Sequence, residues 1–178
     1  ENTIVFYSTD NGVHYNTWPD AGITPFRSEK NSNWEGAYRV PAVVRWPGKI
    51  KAGTVSNEIM SHLDWMPTLV AATGDAELKQ RLLKGTRIGD KRAKLHLDGY
   101  NFLPYMTGQA EKGPREVFHY LDDEGNPVGV RVGDWKIVYA ENRAQYIPID
   151  EKTDEDNVLN ISGTELRRRL QEGLEIPE

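Results

Sequence analysis

The first patterned stretch, Thr3-Ile4-Val5-Phe6-Tyr7-Ser8, is β-branched and aromatic with too little alternation to leave one face wet, and it predicts a buried, parallel-type strand. A strand of that kind needs neighbours on both sides and helices over both faces. A βαβ neighbour would require an element ahead of Thr3, so the expectation is a sheet with its upstream part outside these residues. From Asp10 to Arg39 no period emerges, and Gly12, Pro19, Gly22, Pro25 and Gly36 break the segment into a long irregular loop. Loops of about 30 residues inside compact domains are usually functional. Val40 to Trp46 reads as a second strand, closed by Pro47-Gly48-Lys49.

A helix is predicted from Leu63 to Thr73, with Asp64 as N-cap, Pro67 in the first turn, Gly74 at C′, and Leu63, Met66, Leu69 and Val70 as its buried stripe. Residues 75–97 are charged, with a short helix near Glu77 to Leu83 followed by an exposed insertion rich in Lys and Arg. Beyond Pro104 the pattern changes. Val117–Leu121, Val128–Val132 and Trp135–Ala140 read as three antiparallel strands joined by Asp122-Asp123-Glu124-Gly125-Asn126 and Gly133-Asp134. Ser162 and Glu165 form a capping-box pattern for a terminal helix to about Gln171, with Leu166 and Leu170 facing inward.

Composition narrows the function classes. With 38% hydrophobic and 28% charged residues, 178 residues can bury one ordinary core. No apolar run approaches the roughly 20 residues that span a bilayer, so no membrane span is expected. The absence of cysteine excludes disulfides, thiolate metal sites and cysteine nucleophiles within these residues. A net charge of -5 argues against non-specific nucleic-acid binding, and an anionic substrate would have to be held by local cations.

Asp10-Asn11-Gly12 follows the first strand directly, at the end of a strand where open α/β sheets bind ligands. A carboxylate beside a carboxamide suits a hard cation such as Ca²⁺ or Mg²⁺. Asp-Asn-Gly is equally ordinary turn chemistry. Since calcium takes roughly 6–8 oxygen ligands, any such site needs further ligands from elsewhere.

The order Asp10-Asn11-Gly12, Thr24-Pro25-Phe26-Arg27, Lys30, Trp34-Glu35-Gly36, Arg39-Val40-Pro41, Arg45-Trp46-Pro47-Gly48, Ser61-His62-Leu63-Asp64 and Pro67-Thr68-Leu69 resembles the carboxyl-terminal half of the arylsulfatase family. Asp98-Gly99-Tyr100-Asn101-Phe102-Leu103-Pro104 and Arg131-Val132-Gly133-Asp134-Trp135-Lys136 extend the similarity, while Lys79 to Leu95 and about the last 35 residues find no clear counterpart. The resemblance implies an α/β fold of the alkaline-phosphatase-like superfamily. In it, residues 1–104 would form the carboxyl-terminal part of the catalytic domain, with parallel-type strands, and residues 105–178 a small antiparallel sheet with a terminal helix.

It further implies hydrolysis of sulfate esters, with Asp10 and Asn11 as Ca²⁺ ligands (Mg²⁺ the other possibility) and Lys30 on the sulfate. The family's nucleophile is a formylglycine made from a Cys/Ser-x-Pro/Ala-x-Arg motif, which these residues lack. The isolated chain is thus expected to be inactive and to require the amino-terminal half of the same protein, in a periplasmic or secreted setting. His14, three residues past Asn11, suits general-acid work or is a plain loop histidine. Arg27 suits bidentate sulfate contact or a structural pair with Glu29 or Glu35.

Trp18 and Asp20 fall where a specificity loop would lie, and His62 and Asp64 read as capping and packing residues. His96 and His119 read as surface and sheet positions, and Trp34, Trp46 and Trp135 as packing anchors. Two other functions compete: a phosphoester or phosphonate hydrolase of the same superfamily, and a non-catalytic module that binds sulfated glycans.

Overall fold

Val5–Ser8 (β1) and Ala42–Arg45 (β2) form an antiparallel ladder in which Val5 faces Arg45 and Ser8 faces Ala42 in a computed structural model that describes residues 2–15 and 17–140. The expected parallel, doubly covered strand is therefore corrected. The chain leaves β1, runs through the long loop and folds back beside its own starting strand, with the Ser8 hydroxyl donating to the Pro41 carbonyl at 2.9 Å. Every strand pairing among the described residues is antiparallel. The β1–β2 ladder is also open: Val5 is 50% and Val43 64% exposed. Its one aromatic cover among the described residues is Phe6 against Trp65 and His62.

Glu35–Tyr38 forms one short helical turn (α1) inside the loop. Further on, a 3₁₀ turn at His62–Asp64 runs into the helix Trp65–Ala72 (α2). The cap is Ser61, not Asp64. The Ser61 hydroxyl accepts from the Leu63 amide, and Asp64 Oδ2 accepts from the Ser61 amide at 2.7 Å, a reciprocal capping box.

The buried face of α2 also differs from the expected stripe: Pro67, Thr68 and Ala71 are buried, whereas Leu63, Met66 and Leu69 are exposed. The reason lies in Asp64, which is fully buried and forms a two-pronged pair with Arg115, Nη2 to Oδ1 at 2.6 Å and Nε to Oδ2 at 2.9 Å. Thr68, one turn later on the same face, donates to the Asp64 carbonyl and accepts from the Phe102 amide. Turning this face outward would leave the buried Arg115 guanidinium without its carboxylate, and an unpaired buried charge is costly, so the pair fixes which side of α2 faces in.

Leu78–Lys84 (α3) leads into a hairpin, Thr86–Ile88 (β3) and Lys91–Ala93 (β4), and Leu103–Met106 (α4) follows. Val117–Leu121 (β5), Pro127–Val132 (β6) and Trp135–Val138 (β7) form the three-stranded sheet expected from the alternation. The terminal helix expected around Ser162, Glu165, Leu166 and Leu170 lies outside the described residues. No helix among the described residues is long and apolar enough to cross a membrane.

Candidate functional site

The long loop is organised by backbone contact between two of its segments. The Gly12 amide donates to Ala37 O at 2.8 Å, the Lys30 amide to Val13 O at 2.8 Å, and the Gly36 amide to Arg27 O at 2.7 Å. The Tyr15 amide donates to Glu29 Oε2 at 2.5 Å. Glycine is required twice in this zipper. A Cβ on Gly12 would sit 1.7 Å from Gly36 O, and one on Gly36 would sit 1.9 Å from Ser28 O, so neither approach leaves room for any side chain. Asp10-Asn11-Gly12 and Trp34-Glu35-Gly36 are thereby built into one unit.

At the end of β1, Asp10 is exposed and, among the described residues, takes a single side-chain contact, from the Thr9 hydroxyl at 3.4 Å. Asn11 Nδ2 donates to its neighbour's carbonyl, Gly12 O, at 2.9 Å, which leaves the amide oxygen as the acceptor of that side chain. Asp10 and Asn11, adjacent in sequence, carry the oxygen donors that a hard cation such as Ca²⁺ or Mg²⁺ takes, and two residues fall short of its usual complement of roughly 6–8 ligands. Among the described residues no group of three His, Cys, Asp or Glu residues is arranged to hold a metal.

Lys30 is bracketed by Ser28 and Asn31, both in the left-handed region at φ 66° and 67°. Non-glycine residues there cost of order 1 kcal/mol each and are held only where surrounding contacts over-determine them. No carboxylate among the described residues pairs with the Lys30 ammonium. The Arg27 guanidinium stacks 3.6 Å above the Trp34 ring. His14 Nδ1 is held by the Thr17 hydroxyl at 2.9 Å, while its Nε2 is buried and has no hydrogen-bond partner among the described residues. Trp18 and Asp20 are exposed.

The same loop is fastened to the β5–β7 sheet. Asn33 Nδ2 donates to Val128 O and Ala140 O, and the Tyr38 hydroxyl to Leu121 O. Glu35 receives the Tyr120 hydroxyl at 2.5 Å, Lys136 Nζ at 3.1 Å and Arg131 Nη1 at 2.8 Å. Burial opposes ionisation of Glu35, yet the Tyr120 hydrogen bond together with Lys136 and Arg131 holds its carboxyl below the ordinary range. Burial, reinforced by Glu35, pushes the Tyr120 hydroxyl well up, and burial pulls Lys136 down against the pull of Glu35.

Sequence reasoning missed Glu35 and Asn33 as anchors. One signal was present: Arg131 and Lys136 face each other directly across β6 and β7, and like charges so placed call for a carboxylate between them. His62, expected to cap or pack, does pack on Phe6, and its Nε2 also lies 3.1 Å from Thr9 O, bracing the carbonyl just before Asp10. His96 pairs with Asp98 on the surface, and His119 is exposed on β5. Trp135, expected to anchor packing, is 82% exposed.

Residues 1–75 match the family model described as Sulfatase. The chain is 33% identical over 138 residues to N-acetylgalactosamine-6-sulfatase of Canis lupus familiaris, covering 76% of this chain and 23% of that protein. It is 32% identical to an arylsulfatase of Hemicentrotus pulcherrimus, over 82% of this chain and 23% of the relative. Among solved structures, the PsFucS1 sulfatase from Pseudoalteromonas sp. superimposes with a TM-score of 0.62 at 27% identity, over 76% of this chain and 24% of that one. The chain spans about a quarter of the length of the curated relatives it matches.

Proposed function

We propose, for a chain that belongs to the sulfatase family, that it forms part of a sulfuric ester hydrolase. Within that enzyme, Asp10, Asn11, Lys30, Arg27 and His14 would supply one side of the active site. The observation that carries this reading is the backbone zipper, which ties the Asp10-Asn11 turn to the Lys30 loop through two glycines that admit no side chain.

Asp10 and Asn11 would hold the Ca²⁺ or Mg²⁺ ion, which when bound supplies Lewis acidity toward a sulfate oxygen. Lys30 binds the same sulfate with its ammonium and stabilises the charge that grows on the ester as the S–O bond breaks. Arg27, oriented by the Trp34 ring, offers a planar fork to the remaining sulfate oxygens. His14, with Nδ1 held by Thr17, would hand a proton to the leaving oxygen from Nε2, a nitrogen that is buried and would have to be uncovered when substrate binds. The remaining metal ligands and the nucleophile, a formylglycine on this reading, belong to a segment outside these 178 residues. Without that segment the chain turns nothing over.

The experiment is hydrolysis of an aryl sulfate and of the matching aryl phosphate by the full-length protein, with and without a divalent-metal chelator. Chelator-sensitive turnover of the sulfate in preference to the phosphate is the expected result. Preference for the phosphate, or metal-dependent sulfate hydrolysis by residues 1–178 alone, would overturn it.

A further inference from the structure

Seven of the chain's 22 Lys and Arg residues fall between Lys79 and Leu95, where Asp90 is the one acidic residue, in a protein with a net charge of -5. Part of this charge is used internally. Lys79 donates to Gly99 O and lies over the Tyr100 ring, and Arg81 pairs with Asp75 and donates to Thr86 Oγ1. Lys84, Arg87, Lys91, Arg92 and Lys94 remain exposed on α3 and the β3–β4 hairpin.

Within the hairpin, Arg87 and Arg92 are direct cross-strand partners, so both side chains project from the same face. Directly opposed like charges destabilise a ladder. The β6–β7 hairpin shows how this protein meets that problem, because its opposed Arg131 and Lys136 close on the Glu35 carboxylate at 2.8 and 3.1 Å. The β3–β4 hairpin has no such group. Asp90 touches only Arg87, at 3.9 Å with both side chains solvated, a pair of little worth, and Arg92 has no ion-pair partner among the described residues. Beside the two arginines lies an open hollow of about 560 Å³, lined by Gly85, Thr86, Arg87, Asp90 and Arg92.

We propose that this hollow binds an anionic group of a sulfated polysaccharide, with Lys84, Lys91 and Lys94 tracking neighbouring groups along the polymer. The choice of polymer rests on the sulfate-ester reading above. One further observation favours it over nucleic acid: no aromatic residue occurs between Lys79 and Leu95 to stack a base. A planar guanidinium fork can pair in two-pronged fashion with two of the terminal oxygens of a tetrahedral sulfate ester. The hairpin would hold a polymer near the enzyme without taking part in the chemistry.

The test is binding of the full-length protein to heparin across a salt series, beside the double variants R87S/R92S and K49Q/K51Q, the second removing two exposed lysines elsewhere. Wild type should bind, and R87S/R92S should lose about tenfold in affinity with a log-log salt slope shallower by roughly 2, while K49Q/K51Q stays near wild type. If R87S/R92S fails to fold by circular dichroism, K91Q/K94Q takes its place with the same expectation. No binding to heparin, equal losses in the two double variants, or tighter binding to poly(dT) or phosphatidylserine vesicles than to heparin would overturn the proposal. Aryl sulfate hydrolysis separates the two readings. R87S/R92S should leave it unchanged, and heparin binding by a protein that hydrolyses no aryl sulfate would sink the catalytic reading and leave this one standing.

Discussion

Tyr120 in β5 is 2% exposed and Tyr7 in β1 is 75% exposed, although both sit within antiparallel strands of the same chain. The difference comes from what reaches each strand from far along the sequence. Tyr120 meets Glu35, 85 positions away, and the loop around Glu35 is pinned to all three strands of its sheet, through Tyr120 and Leu121 of β5, Val128 of β6 and Lys136 of β7. Tyr7 belongs to a two-stranded ladder in which Val5 and Val43 are also exposed, as are Leu63, Met66 and Leu69 in and beside α2. Two-stranded ladders are marginal on their own. One region is finished by polar anchoring within the described residues, and the other carries apolar surface that those residues leave open.

The strongest way to break this contrast is through the buried pair that joins the two regions. Asp64 is inaccessible to solvent, and Arg115, also buried, leads directly into β5. Replacing Asp64 by Ala strands the guanidinium and should cost about 3–5 kcal/mol, read as a fall in the urea midpoint. A loss below 1 kcal/mol would mean that the pair does not hold the two regions together. Next comes Gly12→Ala, whose Cβ must displace Gly36 O from 1.7 Å. The expected cost is roughly 1–3 kcal/mol together with weaker Ca²⁺ binding by the full-length protein, measured calorimetrically.

Glu35 gives a pH test. Its carboxyl is depressed in the folded state, so the stability it contributes is fully present above its ordinary value of 4.5 and is lost as pH falls through the lowered folded value. Glu35→Gln should destabilise at pH 7 by roughly 1–2 kcal/mol and flatten the decline in stability below pH 4.5. An unchanged acid limb would assign that decline to other carboxylates. The smallest effect is expected on the open side. Leu69→Ser should change the stability of the 178-residue chain by no more than about 0.5 kcal/mol, and a loss above 2 would show that the α2 face is covered after all.

The contrast also explains what was legible in the sequence. The β5–β7 strands stand where alternation and turn residues put them, because hairpins are specified by neighbours: Asp122 through Asn126 and Gly133-Asp134 mark the turns, and the Asp122 carboxylate accepts from the Glu124 and Asn126 amides. The orientation of α2 was not legible, because it depends on Arg115, 51 positions beyond Asp64. The pairing of β1 was misread because its apolar run promised cover on both faces, and the partner it meets is β2, beyond a long loop. In the candidate site, Asp10, Asn11 and Lys30 stood out as chemistry. The contact between Gly12 and Gly36 that binds them into one unit is a backbone approach that no local pattern announces.

The central claim is that Lys30, on a loop strained at Ser28 and Asn31 and zipped to the Asp10-Asn11 turn, contacts the sulfate as the S–O bond breaks. Its most direct test is steady-state hydrolysis of an aryl sulfate by full-length wild-type and Lys30→Met enzymes, with unfolding midpoints measured in parallel. The account predicts a fall in kcat/KM of roughly 10²–10³-fold at unchanged stability. A Lys30→Met enzyme that keeps its kcat/KM within about twofold of wild type would contradict it.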